Sequence, residues 1–310
     1  MKKSIAIIIL DACRYDYLSC YNKRKNTSPI IDKLAKKSEV YEKAYTLGTH
    51  SVTSLPKFFT GNPDEKRVGF KKGTLIEMIS KKTSMFLPLT IRKKFLFIKK
   101  FFKNSKKELN STLIKQIDLK RCCISANPHY SFGLEKDFDI VERAYLEEDW
   151  LNPRTIIKKA LRFLEKNKEG FLLLCHFMQP HDPYIAPFSK EKFSEEEMTK
   201  IDKYTEKGGK ISPDKTEKIR KAYENNVKWI DKELEPLLNK LEKLNSEVII
   251  TADHGELLGE YGRFRHPMEI KCEELSHIPL IWFKPKGKKS RNKEKIHLNN
   301  VLPMIIKKFN

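Results

Sequence analysis

Glu247-Val248-Ile249-Ile250-Thr251-Ala252-Asp253-His254-Gly255-Glu256 is the stretch that decides the fold. Its first half is a short β-branched run, the pattern of a buried strand. Its second half sets Asp253 and His254 side by side just past that strand. Gly255 lets the chain turn there with no side chain in the way. In open α/β sheets, ligands collect beyond the carboxyl ends of the strands. An Asp-His pair at such a place is half of a divalent-metal site. It is equally an ordinary turn with a solvated Asp and a capping His, and six residues alone do not separate the two.

The flanking chain repeats the pattern. Residues 4–10 form a continuous Ile-rich run, suited to a parallel strand buried on both faces, and it ends at Asp11. Residues 121–126 read as a strand leading to Asn127-Pro128-His129, and residues 171–177 as an apolar strand leading to His181 in a Pro-bounded loop. Residues 40–45 and 278–283 complete the strands. Helices are expected after Thr27-Ser28-Pro29, where a cap and a first-turn Pro precede an amphipathic run. Further helices are expected over 74–80, 153–166, 213–244 and 301–309. Residues 190–210 read as a charged, exposed excursion, and 284–295 as a solvated Lys-rich turn. Arg14 and Asp16 can pair with each other; Asp16 is read as structural, and the roles of Arg14 and Asn127 stay open.

Gly48-Thr49-His50-Ser51-Val52-Thr53-Ser54-Leu55-Pro56 is dense in hydroxyls and enters a short helix ending at Gly61. A hydroxyl at a helix N-terminus is well placed to attack an anionic ester, because free N–H groups and the helix dipole favour negative charge there. Capping by Ser or Thr is the simpler reading of the same residues.

The composition supports a core, with 39% hydrophobic residues, and the formal net charge of +21 suggests an anionic partner. A general richness in Lys accounts for part of that charge. Between 81 and 107 ten Lys and Arg residues stand with no acid, interleaved with Phe86, Phe95, Phe97, Phe101 and Phe102. Such a segment can lie on an acidic membrane surface, or it can be a lid packed on the domain. No specific nucleic-acid motif accompanies it. The six cysteines form no CxxC pair and read as free thiols in a reducing compartment. No run approaches the roughly 20 apolar residues that span a bilayer. The expected location is therefore cytoplasmic, with peripheral attachment to a membrane face as an option.

Taken together, Leu10-Asp11-Ala12-Cys13-Arg14-Tyr15-Asp16, Thr27-Ser28-Pro29-Ile30-Ile31-Asp32, Thr60-Gly61, Pro180-His181-Asp182-Pro183-Tyr184, Thr251-Ala252-Asp253-His254-Gly255-Glu256 and His277-Ile278-Pro279-Leu280 resemble the sulfatase-like branch of the alkaline phosphatase superfamily. The six pieces occur in that family's order and span most of the chain. The resemblance implies an α/β, alkaline phosphatase-like fold with a mostly parallel central sheet and helices on both faces. A single domain over 1–310 is expected, with a basic aromatic insertion at about 81–110 and with part of the branch's C-terminal region missing. In that family the nucleophile lies ten residues before the Gly of the Thr-Gly pair, which implies Ser51; the residues alone leave Thr49, His50 and Thr53 in contention. Asp11, Asp253 and His254, with Ser51, are implied as ligands of one divalent metal (Ca, Mn, Mg or Zn). His181 and His266 fall where the family binds ester oxygens or protonates the leaving group.

Two departures shape the expected chemistry. Typical sulfatases make formylglycine within Cys/Ser-x-Pro-x-Arg, whereas Ser51-Val52-Thr53-Ser54-Leu55 lacks both Pro and Arg. No formylglycine is expected, and an unmodified Ser51 points toward phosphate-ester relatives. Two-metal relatives carry an acidic ligand four residues before the His181 position; Phe177 stands there, so one metal is expected. The expected activity is a metal-dependent, sulfatase-like hydrolase or transferase acting on a phosphate or sulfate ester of a glycan or lipid-linked sugar. The alternatives are phosphoryl transfer to an acceptor other than water and a non-catalytic polyanion-binding module.

Overall fold

The computed structural model describes residues 2–66, 109 and 111–309. The helix expected over 74–80 and nearly all of the basic segment at 81–110 lie outside the described residues.

The apolar runs become the centre of an eight-stranded sheet with the order β10-β2-β9-β6-β1-β5-β3-β4, in which β10 is Ser290–His297, while β7 (Leu257–Leu258) and β8 (Phe264–Arg265) pair separately. Strand β1 (Ile5–Leu10) lies between β5 (Phe171–Phe177) and β6 (Glu247–Thr251), parallel to both. Strand β3 (Lys120–Ser125) continues the parallel set, with β4 (Ile140–Arg143) at one edge. On the other side β9 (Leu280–Phe283) runs antiparallel to both β6 and β2 (Glu39–Tyr45). Ile5, Ile7, Ile8 and Ile9 are fully buried, as a strand covered on both faces requires. The register sets Leu10 opposite Phe177, Ser125 opposite His176 and Ile9 opposite Thr251. Four parallel strands therefore end at nearly one level, and the residues just after them share one end of the sheet.

The helices form two packed groups. In one, α1 (Pro29–Ala35) and α3 (Pro153–Lys166) both pack on the long α5 (Pro213–Lys243). In the other, α2 (Ser51–Thr60) packs on the closing helix α7 (Val301–Phe309). Ile156, Ala160, Phe163 and Leu164 line the buried stripe of α3 at helical spacing. The expected buried face of α5, from Tyr223 to Leu238, is buried throughout. Asp231 of α5 accepts hydrogen bonds from the Ile30 and Ile31 amides, so the free N-terminus of α1 is capped from a neighbouring helix.

Two segments differ from their sequence reading. Residues 190–210 contain a helix, α4 (Glu195–Glu206), opened by a reciprocal Ser194–Glu197 capping box and anchored by buried Met198 and Ile201. The Lys-rich 284–295 region is not only a turn. Ser290–His297 forms β10, the edge strand, parallel to β2.

The short helix α6 (Glu273–Ser276) presses its backbone against the decisive turn. A Cβ on Gly255 would sit 2.0 Å from the Glu274 carbonyl oxygen. Gly255→Ala must push two backbone segments apart. We expect a loss of about 2–3 kcal/mol or more, read as a lower midpoint in chemical denaturation.

Candidate active site

Asp11, Asn127 and Asp253 follow β1, β3 and β6 and meet at the shared end of the sheet. Asp11, Asp253 and His254 each offer a ligand atom, all within 4.8 Å of one another, and all three residues are buried. Ser51, the first residue of α2, reaches the same point. Its hydroxyl donates to Asp253 Oδ2 at 2.6 Å and lies 3.4 Å from Asp11 Oδ2. Asp253 Oδ1 accepts from the Ala12 and His254 amides at 3.2 and 3.0 Å, which fixes the carboxylate plane. Of the residues left in contention, Thr53 Oγ1 donates to the His50 carbonyl and Thr49 Oγ1 sits 3.2 Å from His50 Nδ1. Ser51 is the hydroxyl that faces the acidic pair.

The donor set suits a cation. His254 Nδ1 lies 2.8 Å from the Gly255 carbonyl, so it carries the proton, and Nε2 presents its lone pair. That lone pair faces Asp11 Oδ1 and Asp253 Oδ2, each at 3.6 Å. Three electron-rich atoms then point at one another in a dry site, and Asp11 Oδ1 has no hydrogen-bond partner. A divalent cation between them resolves the repulsion and satisfies the orphan oxygen. Burial alone would raise the Asp11 carboxyl. The hydrogen bond from His176 and the charge of His181 outweigh it and hold the group well below the usual carboxylate range.

Two residues complete this centre that the sequence reading left without a role. Asn127 Nδ2 donates to Asp11 Oδ2 at 2.6 Å and to Ser51 Oγ at 3.0 Å, so it orients both. His176 Nε2 lies 3.0 Å from Asp11 Oδ2, and its Nδ1 lies 3.1 Å from the Tyr130 hydroxyl. A buried His inside an otherwise apolar strand was the available signal. Arg14 is structural: its guanidinium binds Asp16 and Glu260 and donates to the Glu256 carbonyl, tying the loop after β1 to the loop after β6.

His181 and His266 stand beside the first cluster rather than in it. With Glu256 they form a second group whose ligand atoms lie within 4.8 Å of one another. One metal was the expectation from Phe177; this second group offers a further cation position whose carboxylate comes from Glu256. The His266 ring centre is 4.6 Å from that of His254 and 4.7 Å from that of His50, so His50 also faces the site. His181 Nδ1 donates to the Asp182 carbonyl at 2.6 Å, leaving Nε2 as its free nitrogen. Asp182 is held in turn by Arg265 Nε at 3.1 Å.

The charges of these groups divide. Burial opposes protonation of His181, but the charges of Asp182, Asp11 and Glu256 outweigh it and raise its pKa to about 9. Burial, with His254, His50 and His181 adding to it, pushes His266 well below its usual value. Burial pushes Glu256 well up, against the pull of His181. His266 Nδ1 and Glu256 Oε1 lie 3.3 Å apart. One neutral and one protonated imidazole then face the same space, which is a division of labour suited to acid–base work.

A pH prediction follows. His181 is raised in the folded state, so its contribution to stability is full below its ordinary value of 6.5 and is lost as pH rises through about 9. If His181 protonates the leaving group, kcat/KM falls on the same alkaline limb. His181→Gln should lower the rate about 100-fold and abolish that limb in a pH–rate profile.

The Sulfatase family model matches residues 123–310, more than half of the chain. An arylsulfatase of Clostridium perfringens is 23% identical over 99% of this chain and 74% of its own length. The C-terminal periplasmic domain of the phosphoethanolamine transferase EptC from Campylobacter jejuni shares the fold, with a TM-score of 0.65 and 16% identity over 100% of this chain and 90% of that one. The corresponding Escherichia coli EptC domain, solved in complex with Zn, has a TM-score of 0.65 and 13% identity over 97% and 80% of the two chains. The expected alkaline phosphatase-like α/β fold is borne out by these likenesses. The expected cytoplasmic location is contradicted by them, since these neighbours are periplasmic domains. The thiol reasoning behind the earlier expectation fails on physical grounds. All six cysteines are free, and the four buried ones are shielded from oxidants and do not report a compartment. Among the described residues no helix is long and apolar enough to cross a membrane.

Proposed function

The chain belongs to the Sulfatase family, and from that premise we propose that it is a metal-dependent hydrolase or transferase of a phosphate or sulfate ester, with unmodified Ser51 as nucleophile. The observation that carries this reading is the Ser51 hydroxyl, 2.6 Å from Asp253 Oδ2, at the start of α2 and beside Asp11 and His254.

Asp11, Asp253, His254 and Ser51 would hold the metal. Two carboxylates suit Ca²⁺, Mg²⁺ or Mn²⁺, and the imidazole favours Mn²⁺ or Zn²⁺. When bound, the ion lowers the pKa of the Ser51 hydroxyl and offsets charge on the ester oxygens. This chain's residues supply the rest. Asn127 fixes the Ser51 oxygen, and Asp253 accepts the proton that it already faces. Ser51 Oγ forms a bond to the phosphorus or sulfur, the bond to the leaving oxygen breaks, and protonated His181 gives that oxygen its proton. Water or an alcohol then displaces Ser51, giving its proton to His181 while Asp253 returns its proton to the Ser51 oxygen, and the product is released. The missing Pro and Arg around Ser51 support phosphate esters over sulfate esters.

The test is parallel turnover of an aryl phosphate monoester, a bis-aryl phosphodiester and an aryl sulfate by Mn²⁺- or Zn²⁺-loaded protein, each with and without an alcohol acceptor. Turnover of a phosphate substrate supports the proposal, and dependence on the alcohol assigns transfer rather than hydrolysis. Turnover of the sulfate alone contradicts the unmodified Ser51. Binding of polyanions with no turnover and no metal uptake identifies a binding module.

A further inference from the structure

A basic cleft stands apart from the Ser51 centre. It lies between the loop after β1, the end of α1 and the β2–β10 edge of the sheet, is open to solvent, and has a volume of about 450 Å³. Its lining includes Lys23, Lys36, Lys289 and Arg291, with Asp32 as its single carboxylate. The volume suits a small molecule rather than a water or an ion. None of its lining residues belongs to either ligand cluster.

What distinguishes the cleft is that its cations converge on one concavity. Lys25, Lys159 and Lys284 are neutralised by Glu224, by Glu142 and Glu147, and by Glu39. Lys23, Lys36 and Lys289 have no ion-pair partner among the described residues. They come from three separate segments and ring one concavity. Arg291 is braced, with Nη1 on Glu42 at 3.3 Å and Nη2 on the Cys20 carbonyl at 2.6 Å. Asp32 Oδ1 is occupied by the Ser28 hydroxyl at 2.9 Å. The floor is dry and small, with Ala35, Ser38 and Val40 all buried. Like charges gathered around a concave, low-dielectric floor focus a positive potential into it.

We propose that this cleft binds a ligand bearing two or more phosphate or sulfate groups, at a site separate from catalysis. The anionic groups meet the lysine ring, and the carbon skeleton rests on the Ala35–Val40 floor. The same chemistry could reach the cleft as a soluble ester or as a lipid headgroup.

The test titrates Ser51→Ala protein with inorganic pyrophosphate by calorimetry and, in a second arm, floats it with vesicles containing phosphatidylinositol bisphosphate. The background is compared with and without Lys23→Ala/Lys36→Ala/Lys289→Ala. A control triple, Lys158→Ala/Lys166→Ala/Lys168→Ala, removes equal charge from exposed positions on and beside α3. In the wild-type Ser51 background, the cleft triple should keep its ester turnover, which shows that it folds. The expected result is a loss of about tenfold or more in affinity for the cleft triple and little change for the control. A differential loss with pyrophosphate assigns a soluble ligand, and one confined to vesicles assigns a headgroup. Equal losses in the two triples, or no binding in either arm, overturn the proposal.

Discussion

Ser51→Ala is expected to lower turnover by about 1,000-fold or more while leaving the fold intact and removing one of the four groups that would hold the metal. The hydroxyl makes one short hydrogen bond, to Asp253, and accepts one from Asn127. Removing it leaves Asp11, Asp253 and His254 in place. Its loss also relieves crowding at a buried cluster, so the melting temperature should stay within a few degrees. Ser51→Thr tests the same point from the other side. It keeps the nucleophile but adds a methyl group at the start of α2, and it should retain measurable turnover. Equal activity in wild type and Ser51→Ala, measured on a phosphate ester, would move the nucleophile to another group. Thr49 is then the next candidate, because the Thr53 hydroxyl already donates to a backbone carbonyl.

Asp253→Asn is expected to abolish metal-dependent activity, again by about 1,000-fold or more, and to change stability in a diagnostic way. Wild-type protein should melt higher as Mn²⁺ or Zn²⁺ is added, since a ligand at 100 times its Kd stabilises by about 2.7 kcal/mol. The variant loses one of two buried carboxylates that face the His254 lone pair. Without metal it should be as stable as wild type or more so, because the mutual repulsion is reduced. With metal it should show little of the rise. Chelation of the wild type should reproduce the loss of activity, and re-addition should restore it. A metal-induced shift that persists undiminished in Asp253→Asn would place the ion elsewhere, with the His181–Glu256–His266 group as the next position to mutate.

How much was legible follows from where each signal resides. Strands β1, β5 and β6 are continuous apolar runs, and their polar successors announce themselves as departures from that pattern. Asp11, Asp253 and His254 were visible for this reason. β10 was not, because Ser290–His297 is an edge strand whose residues are mostly exposed or half-buried, so no alternation marks it. α4 was hidden by its charge, although Ser194 and Glu197 have the spacing of a capping box. His176 was absorbed into a strand that reads as core, and its partner Asp11 is 165 residues away. Asn127 was noticed but had no role until the register set β3 beside β5. The second cluster depends on loops that bring His181, Glu256 and His266 together, and loop geometry leaves no periodic trace in the sequence. Location was misread because free thiols and the lack of a bilayer-spanning run were taken to report a compartment, whereas four of the thiols are free because they are buried and a missing span says nothing of location.

The measurement that tests the central claim most directly is the mass of the Ser51 peptide from metal-loaded protein, before and after rapid acid quenching with a bis-aryl phosphodiester. The account predicts an unmodified serine at rest and a covalent aryl-phosphoryl adduct on Ser51 after the quench. A formylglycine mass at rest, or an adduct found only on another residue, would contradict it.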